Sequence, residues 1–202
     1  MYMFAGIVCF VCVGVYGIAA AAPSDPWTGL KSGRVGDYLW EVKTKRKDGS
    51  SGQAGAQQPC LMVGTTWELG PFNYRRSRYR ACAGAEGHLT ATDPPLIATG
   101  VQPSSGDSVD MTAVGMIFAP AARQVRVTRS DGGQETIQLH RFSYRQARAA
   151  RLSRFEYAAF ATRGVWCAER IVSLSATGKT LWDSGTDGFP CGAEGSGGPS
   201  FE

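Results

Sequence analysis

Short runs of residues typical of β-strands recur along the chain, and residues typical of turns separate them. Runs that alternate between apolar and polar residues, as at 123–129, predict a strand with one buried face, whereas the apolar and β-branched run at 60–69 predicts a buried strand. The runs occupy residues 37–47, 60–69, 110–119, 123–129, 134–141, 155–162, 166–175 and 179–184. About eight short antiparallel strands with turns between them indicate an all-β fold, either a sandwich or a small barrel.

One segment departs from the strand pattern. Residues 143–154, SYRQARAARLSR, are rich in alanine and arginine, which both have a high helix propensity. Polar and apolar residues do not alternate there with a period of two. We therefore predict a single short helical insert, rich in arginine and alanine, within the otherwise all-β domain.

The clearest strand pair flanks Asp-Gly-Gly at residues 131–133. A three-residue loop there predicts that Arg129 lies opposite Glu135 and that Val127 lies opposite Ile137. Directly opposed residues share a face, so one face of this hairpin is apolar and the other is polar. The apolar face comprises Val125, Val127, Ile137 and Leu139, and the polar face comprises Gln124, Arg126, Thr128, Thr136, Gln138 and His140. This segregation indicates a half-buried sheet and requires no ligand.

The first 22 residues contain no charged side chain and end in small residues. This composition predicts a cleaved signal peptide at residues 1–21. An uncleaved membrane anchor is the alternative, because about 20 apolar residues can span a bilayer. We expect a loose N-terminal segment at residues 22–36, the β-sandwich domain at 37–184 and a glycine-rich tail at 185–202. The protein is then secreted or associated with the cell envelope.

Six cysteines are present, and Cys9 and Cys12 fall inside the apolar N-terminal segment. The other four are Cys60, Cys82, Cys167 and Cys191. An even number in an exported domain predicts two disulfides, with three possible pairings. We favour Cys60–Cys82 together with Cys167–Cys191, because both bridges then close local loops.

The formal net charge is +4, and the cationic residues form clusters. One cluster comprises Lys43, Lys45, Arg46 and Lys47; a second comprises Arg75, Arg76, Arg78 and Arg80; a third comprises Arg141, Arg145, Arg148, Arg151 and Arg154. Clusters that share a face would attract an anionic cell-wall polymer, an acidic polysaccharide or a membrane surface. We expect no nucleic acid partner for an exported protein. The alternative is that these arginines are ordinary solvated charges.

The chain has two histidines, His88 and His140, and no catalytic-triad, zinc-ligand or nucleotide-binding pattern. We therefore predict no cofactor and favour a non-catalytic binding or structural module. One alternative is a small secreted hydrolase with a loop-borne site, which requires a histidine beside a serine or aspartate. Another is a membrane-tethered accessory domain.

The segments GMIFAPAARQVRVTRSDGGQETIQL and RIVSLSATGKTL resemble uncharacterised secreted β-domains of actinobacteria and their relatives. The matching positions are Gly115, Val125, Val127, Thr128, Asp131, Gly132, Gly178, Lys179 and Leu181. The resemblance covers about a third of the chain, and the arginine-rich insert departs from it. It implies an exported β-domain and carries no activity with it.

Overall fold

The computed structural model describes residues 27–47, 58–68, 74–83, 89–103 and 109–185. In these ranges the chain forms twelve β-strands and one helix, and every paired strand is antiparallel. The predicted all-β antiparallel class is therefore confirmed, although the strands outnumber the eight expected. They form three four-stranded sheets.

The first sheet, sheet A, has the order β1-β2-β3-β4 and consists of four consecutive strands. These are β1 (Thr28–Val35), β2 (Tyr38–Arg46), β3 (Pro59–Glu68) and β4 (Tyr74–Cys82). All of β1 lies within residues 22–36, the segment that we expected to be loose, so residues 28–35 form a paired strand instead. Turn residues obscure its pattern, but Leu30 is buried in the core and β1 pairs with β2 along its length.

Sheet B contains β5 (Leu96–Pro103), β6 (Val109–Phe118), β9 (His140–Arg141) and β10 (Glu156–Arg163), in the order β5-β6-β10-β9. Sheet C contains β7 (Gln124–Arg129), β8 (Gln134–Gln138), β11 (Ala168–Leu174) and β12 (Thr180–Asp183), in the order β12-β11-β7-β8. The chain passes between these two sheets after β6, β8 and β10.

Sheet B is the central layer, and β6 shows this most directly. Its last eight residues are all buried. Met111 and Ile117 pack into a core shared with sheet A, whereas Val114 and Phe118 pack into a second core shared with sheet C. A strand that is covered on both faces has apolar residues at successive positions, so the sequence of β6 does not alternate between apolar and polar residues.

Sheets A and B approach closely over a row of small residues. Gly115 on β6 lies directly between Ala98 on β5 and Ala159 on β10. A Cβ atom at Gly115 would lie 2.8 Å from Cγ1 of Val42 and 3.3 Å from Cγ2 of Val63. Glycine is therefore required there because a larger side chain would not fit. The backbone conformation of Gly115 is one that any residue can adopt.

Polar side chains also join these two layers. The Tyr38 hydroxyl on β2 donates a hydrogen bond of 2.5 Å to the Asp110 carboxylate on β6, which raises the pKa of Tyr38 to about 12. Inside the core, the Thr65 hydroxyl donates to the Gln102 side-chain carbonyl at 2.8 Å. Buried polar groups that pair in this way avoid the free-energy cost of an unsatisfied donor or acceptor.

The predicted helical insert is α1 (Tyr144–Ala150). Ser143 caps its N-terminus, since the Ser143 hydroxyl accepts the Gln146 amide at 3.1 Å and the Gln146 side chain accepts the Ser143 amide at 2.9 Å. Ala147 and Ala150 are buried in the core shared by sheets A and B. The helix packs beside β1, where the Gln146 amide group donates to the Gly29 carbonyl at 3.1 Å.

The β7–β8 hairpin has a loop of the predicted length, one residue earlier than predicted. The Arg129 amide donates to the Gly133 carbonyl and the Gly132 amide donates to the Arg129 carbonyl, both at 2.9 Å, which closes the loop at residues 130–132. Gly132 takes the left-handed conformation with a φ of 78°. The Asp131 carboxylate accepts the Gly133 amide at 2.9 Å. Aspartate stabilises turns in this way, and glycine adopts a positive φ without strain.

The strand pairing of this hairpin differs from the prediction by two residues. Val127 lies opposite Glu135 instead of Ile137. The predicted Arg129–Glu135 pair is wrong, since Arg129 forms an ion pair of 3.2 Å with Asp131. A shift of two residues preserves the face of every side chain. Consequently Val125 and Val127 are buried, Ile137 and Leu139 pack against the same core, and the polar face is exposed or half-buried.

The Cys60–Cys82 disulfide is present, between directly opposed residues of β3 and β4. Cys167 is also disulfide-bonded, and its partner lies outside the described residues, as does Cys191. The Cys167–Cys191 pairing stays a prediction. The predicted signal peptide and nearly all of the glycine-rich tail also lie outside the described residues. In the described ranges, no helix has the length and apolar character needed to cross a membrane.

Candidate anion-binding face

One face of sheet A points away from the core. Trp40 and Val42 on β2, and Leu61 and Val63 on β3, are buried against sheet B. Successive side chains of a strand point to opposite faces, so the alternate positions of these strands form the outer face of sheet A. Six described cationic side chains lie on this outer face: Arg34, Lys43, Lys45, Arg76, Arg78 and Arg80.

Strand β4 forms one edge of sheet A and contributes a row of arginines. Arg76, Arg78 and Arg80 occupy every second position and are all exposed. The residues between them face the core, where the Tyr79 hydroxyl donates to the Val101 carbonyl at 3.2 Å. The segment YRRSRYR is thus an edge strand with Arg76, Arg78 and Arg80 on one face.

A depression of about 800 Å³ lies on this outer face, over the middle of β2 and β3. Gly64 provides its floor, directly between Glu41 on β2 and Arg78 on β4. The Glu41 side chain lies over Gly64, since a Cβ atom there would come within 3.0 Å of Cγ of Glu41. Glu41 is the one described carboxylate on the face, and its Oε2 forms an ion pair of 3.1 Å with Lys43.

Trp27 and the disulfide lie at one end of the outer face. The Lys45 ammonium is 5.3 Å from the centroid of the Trp27 ring, and the Arg80 guanidinium carbon is 5.7 Å from it. Both distances fit cation–π attraction. Lys45 lies directly opposite Cys60, which is bonded to Cys82 on β4. These contacts hold cations of β2 and β4 in place at this end.

The structure brings together members of the first two basic clusters of the sequence and leaves the third cluster apart. Lys43 and Lys45 share the outer face with Arg76, Arg78 and Arg80. The third cluster lies around α1, which packs beside β1 at the opposite edge of sheet A from β4. Three strand spacings of about 4.8 Å separate these two edges, so they are roughly 14 Å apart.

The other residues predicted to bind an anion are the arginines around α1 and Arg75. Arg145, Arg148, Arg151 and Arg154 are exposed, and the Arg154 guanidinium donates to the Phe142 carbonyl at 3.1 Å. The structure does not describe the side chain of Arg75.

Two members of the outer face, Trp27 and Arg34, are not among the residues predicted from the sequence, because residues 22–36 lack a clear strand pattern. The sequence feature that could have revealed this strand is the spacing of Ser32 and Arg34, two polar residues separated by one position, which is typical of one face of a β-strand.

Glu156 forms a second charged site that the sequence did not reveal. This buried carboxylate on β10 accepts from Arg123 at 2.8 Å and from Arg141 at 3.0 Å. Burial raises the pKa of Glu156, and the arginines act against that shift. The three residues join sheet B to the start of β7 in sheet C, so this cluster links two layers, and its carboxylate is buried and paired with both arginines.

A hydrolase would require one of the two histidines, and the structure describes one of them. His140 is exposed, with its ring centroid 5.6 Å from that of Tyr157. His88 lies outside the described residues. Within the described ranges no group of three or more His, Cys, Asp or Glu side chains is placed to hold a metal ion.

The described architecture defines an all-β protein with three stacked antiparallel sheets, one of which has a basic outer face. Comparison of the chain with protein-family models, curated proteins and solved structures gives no match. The functional argument therefore rests on the residues and geometry described above.

Proposed function

We propose that the protein is a non-catalytic β-sandwich module, secreted or associated with the cell envelope, that binds an anionic polymer or surface through the outer face of sheet A. The observation that carries the proposal is the distribution of charge. Six cations and one described carboxylate occupy a single sheet face, in a chain whose formal net charge is only +4. Concentrated charge of one sign attracts a partner of the opposite sign.

The shape of the face favours a polymer over a small molecule. Sites for small molecules are mostly apolar clefts that bury most of the ligand. Here the cations extend over β1, β2 and β4, and the depression over Gly64 is open and lined by charged and polar side chains together with Leu39 and Trp40. A long anion can contact several of these strands at once, so that many weak ion pairs add up.

The backbone also suits binding, because the cations sit on regular paired strands instead of a loose loop. The Cys60–Cys82 bridge joins β3 to β4, and Trp27 contacts a cation from each of β2 and β4. Side chains on a rigid element lose less entropy when a ligand orders them.

Retention on a heparin column tests the proposal, since heparin is a soluble anionic polymer that can be immobilised. The variant R76Q/R78Q/R80Q removes three charges from the outer face of sheet A. Its matched control is R126Q/R145Q/R148Q, which removes three exposed arginines from β7 and α1. We expect the first variant to elute at clearly lower salt than the control, and the control to elute close to the wild type.

The salt dependence of binding adds a quantitative check. Each lost contact should lower the slope of log K against log salt by about 0.7, the value for flexible single strands, so three lost contacts lower it by about 2. Equal elution of the two triple variants would overturn the proposal, because charge alone would then explain retention, wherever it lies on the surface.

A further inference from the structure

We infer that the preferred ligand of the outer face of sheet A is a linear phosphodiester polymer whose phosphates are separated by three-carbon units, as in poly(glycerol phosphate). The inference rests on the proposed anion-binding function and specifies its substrate class. It comes from the spacing of the arginines on β4.

The arginine row has a fixed period. Arg76, Arg78 and Arg80 are two residues apart on an extended strand, so their Cα atoms are separated by about 6.8 Å. Two residues contain six backbone atoms. A second extended chain with six backbone atoms per charge therefore has nearly the same charge period, since bond lengths and angles are similar. Glycerol joined by phosphodiesters has this repeat: one phosphorus, two oxygens and three carbons.

The outward neighbours of the three arginines on β3 are Thr66, Gly64 and Met62, none of which is charged. The Glu41 side chain from β2 lies over Gly64, and its carboxylate forms an ion pair of 3.1 Å with Lys43. An unbranched polymer that runs along the β4 edge, on the side away from Glu41, places phosphates spaced by six atoms beside successive arginines in register.

Single-stranded nucleic acid also has six backbone atoms per phosphate, but the face lacks what its bases need. Such strands gain much of their affinity from bases stacked on aromatic rings. Among the described side chains of this face the one aromatic ring is Trp27, which is half-buried and already contacts Lys45 and Arg80. A polyol phosphate requires no stacking and uses the arginine row alone.

Competition binding tests the inference. Fluorescent poly(glycerol phosphate) is bound to the full chain and displaced by unlabelled polymers with equal numbers of phosphates. The competitors are poly(glycerol phosphate), poly(ribitol phosphate) with eight backbone atoms per repeat, and oligothymidylate. Two additional ion pairs in register, at about 0.2–1 kcal/mol each, predict a preference of roughly 2- to 30-fold for poly(glycerol phosphate) over the ribitol polymer.

The variant R78Q distinguishes the effect of arginine spacing on polymer preference from the effect of total charge. It removes the middle arginine of the row, so it should lose most of the preference, whereas the control R145Q removes one exposed arginine elsewhere and should keep it. Equal affinity of the wild type for all phosphate polymers would overturn the spacing argument and leave the heparin result intact. Tighter binding of oligothymidylate than of poly(glycerol phosphate) would replace the inference with nucleic acid binding.

Discussion

Replacement of Gly115 by alanine tests how closely sheets A and B pack. The added Cβ would meet Val42, Val63 and Leu61, which are fully buried, at 2.8, 3.3 and 3.4 Å. Overpacking of a core costs about 1–3 kcal/mol. Alanine recovers about 0.5–1 kcal/mol relative to glycine in a strand, so we expect a net loss of about 1 kcal/mol and at most about 2.5 kcal/mol.

Urea unfolding and thermal unfolding, followed by circular dichroism, measure this loss. For a domain of this size, each kcal/mol lowers the melting temperature by about 2–4 °C. The matched control is Gly29→Ala on β1, where an added Cβ meets nothing within 4 Å and the residue is exposed. We expect the control to be unchanged, or up to about 1 kcal/mol more stable than the wild type.

A double variant identifies the cause of the loss. Val42→Ala removes the methyl group nearest to the new Cβ, so V42A/G115A should be more stable than the sum of the single changes by about 1 kcal/mol, within the usual range for contacting residues. If G115A matches the wild type in stability, or if the two changes simply add, the two sheets do not approach at Gly115 and the packing argument is wrong.

Two further predictions concern single residues. Glu41→Gln removes the described carboxylate among six cations, so retention on heparin should extend to higher salt, whereas Glu135→Gln on β8, with the same charge change, should leave retention nearly unchanged. Because the folded pKa of Tyr38 is about 12 and its ordinary value is 10.0, the Tyr38–Asp110 bond stabilises the fold below pH 10, and this contribution is lost as pH rises towards 12. Tyrosine absorbance at 295 nm should show a late titration that Tyr38→Phe abolishes; an unchanged titration contradicts the bond.

The sequence predicted the strands because alternation is a local property. The β7–β8 faces, the α1 insert and the β3–β4 disulfide were all readable from neighbouring residues. The register of the hairpin was not, because Asp-Gly-Gly accommodates a three-residue loop in two positions that leave every face unchanged. Only the Asp131 carboxylate, bonded to the Gly133 amide, distinguishes the two positions.

The layering and the binding face depend on long-range pairing, which a single sequence does not contain. The apolar run of β6 was equally compatible with an ordinary core strand, and its two covered faces appear only when sheets A and C are placed. Lys43 on β2 and Arg80 on β4 are 37 positions apart in the chain, yet Met62 lies directly between them in the sheet. The third arginine cluster, around α1, looked equivalent in sequence and occupies a different edge.

The two outer faces of the sandwich differ in their balance of charge. On sheet C the outward residues of β7 and β8 are amides and hydroxyls at Gln124, Thr128, Gln134, Thr136 and Gln138, with Arg126 among them. On β11 and β12 the same face carries Arg170 and Asp183, which form an ion pair. The charges of the sheet C face are thus largely balanced, whereas those of sheet A are mostly cationic. Charge repulsion among neighbouring arginines costs stability, and the anionic partner that we propose would offset this cost when it is bound.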